Sequence, residues 1–372
     1  MKSKGVIFAA FLLACWSAFG QTVPKYSNEF LNIGVGARAL SMSGAVSASS
    51  DDITGIYWNP ASLTGLNNDM ELGLMHAEYF AGVASYDFGG IAYRVDDKNV
   101  IGGGFVRFGV DDIPNTLDLI DSDGNIRYDR LSSFSASDIA VFLSYARQLD
   151  NENLSVGGNV KLIRRIAGDF GGSWGFGFDV SGRYQQENWI FALTARDVTS
   201  TFNAWTFNTD LLRETWSQTG NELPENSMEI TLPSLTLAAA NQFPIYKKFS
   251  GLTALDLFTT YDGKRNTLIK SNFISIEPRA GLELGYNSKV FLRAGVGNIQ
   301  EIPLADGERE YRVQINLGAG IQFRGLSIDY ALSNLGSDEN FYSHVFSLRY
   351  RFSTKQSAKK PDTNSRLEIE SI

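Results

Sequence analysis

Side chains able to do chemistry are scarce in this sequence. Its 372 residues include two histidines, His76 and His344, and one cysteine, Cys15. Structural and catalytic zinc sites gather three or four nitrogen and sulfur ligands, so two separated histidines make a poor metal site. Both histidines fall in expected strands, which favours a structural or interfacial place over catalysis. The run Asp121-Ser122-Asp123-Gly124-Asn125 has part of a calcium-loop pattern. The acid needed at Leu119 and the later Glu are missing, so a hairpin tip is the better reading. Gly102-Gly103-Gly104 and Gly171-Gly172 lie in or beside strands with no helix behind them. They fit close backbone contact or strand bending, not a phosphate loop. The chain is thus expected to be no enzyme and to need no cofactor or metal. A net charge of −8 argues against a nucleic-acid partner.

With little chemistry to position, the elements themselves carry the information. Residues 1–20 read as a secretory signal peptide: Lys2 and Lys4, an apolar run from Val6 to Leu13, and Ala18-Phe19-Gly20 before the cut. Leu12-Leu13-Ala14-Cys15 also resembles a lipoprotein box with Cys15 as the lipidated residue, although Leu13 fits it poorly. Beyond Asn67 the chain alternates. Tyr311, Val313, Ile315, Leu317, Ala319, Ile321 and Phe323 face one way, and Arg312, Gln314, Asn316 and Gln322 the other. That is a period of two, hence a strand. The pattern recurs with starts near Met70, Val83, Val100, Ser135, Leu154, Gly172, Trp189, Pro233, Gly251, Phe273, Lys289, Tyr311, Gly325 and Tyr342.

The links between these strands alternate short and long. Tight links such as Asp96–Asn99, Gln185–Asn188 and Arg324-Gly325 take turns with longer ones such as Val110–Ser132 and Thr199–Leu232. A sandwich has no reason to sort its links this way. An outer-membrane barrel does, with short periplasmic turns and longer outer loops. The expected fold is therefore all-β: a transmembrane outer-membrane β-barrel of about fourteen antiparallel strands over residues 69–353. Aromatic residues near strand ends, among them Tyr93, Tyr145 and Trp189, suit its two interfacial girdles. Outer-membrane lipid is then a partner. Residues 354–372 lose the pattern and read as a flexible periplasmic tail.

Residues 21–68 are read as an N-terminal periplasmic plug, or hatch, with both termini on the same side. From Phe30 to Leu66 small residues dominate, which allows close packing against surrounding walls. A short helix is expected from Ala39 to Ser47. Asp51 and Asp52 read as a cap before a second turn, and Trp58-Asn59-Pro60 as a bend. Alternation turns Lys161, Asp179, Glu283, Arg293, Asp329 and Arg349 inward, since a cation facing lipid at mid-depth costs about 2–4 kcal/mol. Arg38 and one of Asp51 and Asp52 are expected to meet wall charges of opposite sign. The link Thr199–Leu232 carries Trp205, Phe207, Leu212 and Trp216, and Thr209 or Asp210 can cap a short helix that sets Leu212 and Trp216 on one face. So much apolar surface reads as a lid over the mouth or a contact for a partner.

The segment Phe30-Leu31-Asn32-Ile33-Gly34-Val35-Gly36-Ala37-Arg38-Ala39, the Asp51-Asp52 pair and Ile56-Tyr57-Trp58-Asn59-Pro60-Ala61 resemble the PorV/PorQ family, within the wider FadL-like group of outer-membrane barrels. The resemblance covers mainly Phe30–Leu66; the rest agrees in architecture. It implies a barrel of about fourteen strands with an N-terminal hatch, in the outer membrane of a Gram-negative, Bacteroidetes-like bacterium. It further implies an accessory role in protein secretion of the type IX kind, acting by binding a translocon or other envelope proteins. The alternative it leaves open is a FadL-like transporter of hydrophobic small molecules, with a hydrophobic ligand.

Overall fold

The computed structural model describes residues 27–117, 119–121, 123–219, 222–303, 308–334 and 342–353. The expected signal peptide, the Cys15 alternative and the tail at 354–372 lie outside the described residues. Among the described residues seventeen strands form one sheet. They are β1 Met70–Tyr79, β2 Ala84–Arg94, β3 Asn99–Asn115, β4 Ser132–Gln148, β5 Leu154–Ala167, β6 Gly171–Gln186, β7 Trp189–Arg196, β8 Thr201–Phe207, β9 Ser227–Thr231, β10 Ser234–Tyr246, β11 Phe249–Thr260, β12 Ile269–Lys270, β13 Ser275–Tyr286, β14 Val290–Pro303, β15 Arg309–Phe323, β16 Leu326–Asn334 and β17 Tyr342–Phe352. The last pairs with the first: β1 runs antiparallel to β17 from Met70↔Phe352 to Glu78↔His344. The sheet is therefore a closed antiparallel barrel, which abolishes free edges along the circuit. Leaving aside β8, β9 and β12, the circuit has fourteen strands.

The three additional strands sit above the ring at its long-loop end. β7 stops at Arg196 while β6 continues to Gly171, so the far half of β6 lacks its neighbour. β8 takes that place, from Gly171↔Phe207 to Phe176↔Phe202, and β9 pairs outside it. The stretch Thr199–Leu232 therefore adds two unexpected strands to the short helix expected there. It holds β8, a helix over Thr209–Thr219, and β9. The physical reason is the unpaired backbone of β6, whose donors and acceptors need partners.

The two faces of the wall differ as lipid and water require. Outward positions carry half-exposed apolar side chains, such as Leu143, Phe176, Leu237 and Phe346. Inward positions carry buried polar ones, including Lys161, Asp179, Arg293, Asp329 and Arg349. This inverts the pattern of a soluble barrel and is that of a barrel standing in a bilayer. Every described link from β2 to β3, β4 to β5, β6 to β7, β10 to β11, β13 to β14 and β15 to β16 is short, and all lie at one end.

Residues 27–68 occupy the lumen. Their partners lie on nearly every side of the wall: Ser347 on β17, Asp256 on β11, Asn159 on β5, Ser181 on β6, Asn316 on β15 and Tyr86 on β2. The segment spans the barrel from end to end. Leu66 lies at the short-turn end, where Arg94 donates to its carbonyl. Ser27 and Asn28 lie at the long-loop end, bonded to Glu229 and Thr231 of β9. The described start of the segment thus lies at the end of the barrel opposite Phe352. β9, which the sequence hides inside a long link, supplies the anchor at the far end.

Candidate functional site

The site is the inserted segment and the wall it touches. A single helical turn, Ala37–Ser41, starts after Gly34 and Gly36, whose φ angles of 96° and 90° are costly for any residue with a side chain. Met42 and Ser43 press against the wall where inward positions of β13 and β14 are Gly281 and Gly295. A Cβ on Gly295 would overlap the Met42 backbone. Gly157 does the same for Pro60 and Ala61, while Gly102 makes room for the Ile56 side chain. Inward glycines thus let main chain meet main chain. The expected helix to Ser47 is cut short at Ser41 and continues as turns, because Gly44 takes a φ of 77°.

Arg38 reaches Glu283 of β13 at 2.9 Å, with Asp51 more distant at 3.9 Å and half-exposed. Asp52 is buried and bonds Arg349 of β17. Its Oδ1 accepts from the Thr54 amide at 2.8 Å, which starts the next turn, Gly55–Trp58. A chain of alternating charges connects the two contacts: Glu283 to Arg293 at 2.6 Å, Arg293 to Asp329 at 2.7 Å, and Asp329 to Arg349 at 3.0 Å. Glu71 of β1 closes the group by accepting from the Ile53 amide at 3.0 Å and from Arg351 at 3.1 Å. Burial works against the Asp52 charge, but Arg349, Arg38 and the Thr54 bonds prevail and hold its carboxyl down at about 2. Burial likewise opposes the Arg38 cation, and Glu283, Asp51 and Asp52 prevail to raise it above its usual range.

Trp58 donates its indole N–H to the Val35 carbonyl at 2.8 Å, closing the segment on itself. Asn59 caps the turn at Pro60–Gly65: its Oδ1 accepts from Ala61 at 3.0 Å, and its Nδ2 donates to Ser47 at 2.7 Å. Pro60 opens that turn and is buried. The structure therefore gathers Arg38, Asp52, Trp58, Asn59 and Pro60 in the lumen and leaves Asp51 at its margin. Sequence reading had no sign of Arg196 of β7, which lies over the rings of Tyr57 at 4.6 Å and Trp58 at 5.7 Å and donates to the Tyr57 carbonyl at 3.0 Å. The signal available was its parity: Arg196 shares the inward face of β7 with Ala192 and Thr194.

At the long-loop end the segment leaves a cavity of about 40 Å³. Leu31, Tyr57, Phe142 and Phe258 form its apolar side, and Lys161, Asp179, Asp197 and Arg196 its polar side. Lys161 is buried and held by Asp179 at 2.8 Å and Asp197 at 2.6 Å. A void of this size takes a few waters, whereas one of about 150 Å³ is needed to seat a benzene ring.

The residues of the expected lid or partner contact stand on two elements of Thr199–Leu232. Trp205 and Phe207 stand on β8, stacked at 5.8 Å, with Arg165 over Trp205 at 5.1 Å. Leu212 and Trp216 share the helix over Thr209–Thr219, where Leu212 is buried. Asp121 accepts from the Asn125 amide at 2.9 Å and the Asp123 amide at 3.1 Å, closing a tight turn. His76 and His344 both point outward from the wall. Gly171-Gly172-Ser173-Trp174-Gly175 has the spacing of a nucleophile elbow, a match the sequence reading overlooked. It runs straight within β6, with Ser173 buried and no histidine near. Among the described residues no group of His, Cys, Asp and Glu could hold a metal ion.

No protein-family model matches the chain, and no curated protein matches it in sequence. Its fold is similar to solved structures. The CymD monoaromatic hydrocarbon channel aligns at a TM-score of 0.55 and 15% identity, over 87% of this chain and 98% of that one. The P. putida toluene transporter TodX aligns at 0.54 and 14%, over 86% and 99%. A Pseudomonas aeruginosa FadL homologue aligns at 0.51 and 12%, over 86% and 98%. The FadL-like part of the sequence resemblance therefore stands at the level of fold, and nothing found singles out the PorV/PorQ family. The expected accessory role in secretion is overturned. Two of the barrels that share this architecture over nearly their whole length are described as a monoaromatic hydrocarbon channel and a toluene transporter, not as secretion components.

Proposed function

We propose that this chain is an outer-membrane channel for small hydrophobic molecules, with residues 27–68 as its plug. The observation that carries this is the shared architecture: a closed barrel aligned end to end with a toluene transporter and a monoaromatic hydrocarbon channel. The cavity at the long-loop end supports it, since Leu31, Tyr57, Phe142 and Phe258 offer an apolar wall beside fixed charges. In this reading the long loops face the exterior, the short turns face the periplasm, and a ligand enters beside Ser27–Asn32. At 40 Å³ the cavity must widen before an aromatic ring fits, so uptake requires the plug to shift.

Uptake of radiolabelled toluene by Gram-negative cells making the protein, against cells without it, tests the reading. Faster uptake that falls when Tyr57→Asp and Phe258→Asp fill the apolar wall with charge is the expected result. Equal uptake with and without folded protein across a panel of hydrophobic compounds of graded size refutes it.

A further inference from the structure

The outer wall is not uniformly apolar. On β6 every outward position from Tyr184 up to Trp174 is apolar or glycine: Gly182, Val180, Phe178 and Phe176 lie between. On β1 the outward positions above Leu72 and Leu74 are His76 and Glu78. On β2, Asp87 and Ser85 follow Ile91 and Gly89; on β3, Arg107 follows Phe105. These residues stand side by side in register: His76↔Asp87, Asp87↔Arg107 and Glu78↔Ser85. They are bonded along the row. His76 Nδ1 lies 2.7 Å from Asp87, and Arg107 donates to Ser85 at 3.2 Å and to Asp87 at 3.4 Å. His76 and Glu78 remain 55% and 68% exposed, which makes this an open charged patch and not a covered one.

Its depth makes the patch anomalous. His76 lies six residues above Met70 at the short-turn end. At about 3.3 Å per residue and a tilt near 40°, that is a rise of about 15 Å. The apolar band of such barrels is about 25 Å tall, so the row begins near the middle of the bilayer. Ionisable groups at that depth are costly against hydrocarbon and are found facing protein or water.

We propose that the outward face of β1, β2 and β3 is an interface with a second copy of this chain, arranged about a two-fold axis. The order of charge across the patch selects that occupant. Glu78 and His76 on β1 lie at one side and Arg107 on β3 at the other, two strands or about 10 Å apart, with Ser85 and Asp87 on β2 between. Rotation about an axis beside Ser85 and Asp87 of β2, midway between them, sets Glu78 of each copy against Arg107 of the other. A surface that carries both signs on opposite sides of its centre is self-complementary, as an isologous interface requires. Pairing the copies also removes the row from lipid. The inference does not depend on what the barrel conducts.

Cross-linking in native membranes tests it. Cys15 is the one cysteine of the sequence and lies outside the described residues, so each variant is compared with the unsubstituted protein treated with the same reagent. Leu74→Cys lies on the outward face of β1 beside His76, and Leu237→Cys on β10 across the ring; both are exposed. With a bifunctional thiol reagent spanning about 15 Å, twice the spacing of same-face neighbours along a strand, Leu74→Cys is expected to give a dimer band and Leu237→Cys none. Adding Glu78→Arg is expected to abolish the band, and adding Arg107→Glu as well to restore it. Each variant is scored only on the fraction that keeps heat-modifiable mobility, and Glu78→Gln serves where Glu78→Arg fails to fold. A monomer at Leu74→Cys overturns the proposal and assigns the row to lipid headgroups drawn down by a locally thin bilayer. Equal dimer at both sites, or a band indifferent to the Glu78 substitutions, overturns it too.

Discussion

Replacing Arg349 with Met isolates one contact of the plug. Asp329 keeps Arg293 at 2.7 Å, and Glu71 keeps Arg351 at 3.1 Å. Asp52 keeps no cation within bonding distance, since Arg38 is engaged with Glu283 and Asp51. The side chains of Asp52 and Arg349 are 2% and 9% exposed, so solvent gives the stranded carboxylate little relief. Removing one partner of a buried pair costs about 3–5 kcal/mol. Barrel closure does not depend on this side chain, because β1 and β17 are joined through backbone pairs from Met70↔Phe352 to Glu78↔His344. The loss therefore falls on opening of the plug. At 1.36 kcal/mol per factor of ten, hydrogen exchange at the Tyr57, Trp58 and Asn59 amides, which bond to Thr54 and Gly55, should quicken about 10²–10⁴-fold. Strand amides should keep their rates. Asp52→Asn added to Arg349→Met removes the stranded charge and should recover much of the protection. Unchanged exchange in the single variant, or a double variant no better protected than the single, refutes the reasoning.

Three further outcomes follow from the same geometry. The Asp52 carboxyl is held at about 2, below its ordinary 3.8, so its contribution to plug stability is complete above about pH 4 and lost as pH falls towards 2; amide exchange of the plug measured from pH 7 downward checks this. Gly295→Val sets a side chain into the Met42 backbone and should raise ion conductance in planar bilayers by displacing the segment, whereas Gly124→Val, which meets nothing nearby, should not. Epitope tags at Gly124 and at Asp150 should be reached by antibody on intact cells only at the first site; labelling at Asp150 alone inverts the proposed orientation.

The strands were legible because lipid outside and polar groups inside write a strict alternation, as in Tyr311–Phe323, and because one end of the barrel has only short links; at the other end the alternation is incomplete, since β1 and β2 and also β5 and β6 are joined by the short turns 80–83 and 168–170. The inward charges followed from the same parity. Three things were not legible. β8 and β9 form because β7 is shorter than β6, a mismatch that no local pattern in Thr199–Leu232 records. The inward glycines at Gly157, Gly281 and Gly295 look like ordinary strand glycines until a second backbone lies against them. His76 was placed in a strand, but its partners Asp87 and Arg107 come from separate strands, and only the register brings them into one row.

The way the plug is held also constrains how the molecule can be made. Ala37 donates to Ser347, 310 positions further along the chain, and Asp52 and Arg349 are separated by 297. Contacts so distant in sequence form late and slow the search for the native state. The segment leaves the ribosome first, yet its partners on β17 arrive last. It also bears on strands all around the circuit, so a ring sealed before it arrived would have to admit it through an end. The favourable order is for the wall to assemble against the seated segment, with the β1–β17 seam zipped as the final event. On that account the plug is a mandrel for its own barrel, and variants that loosen it should slow maturation in the membrane before they alter what the finished barrel lets through.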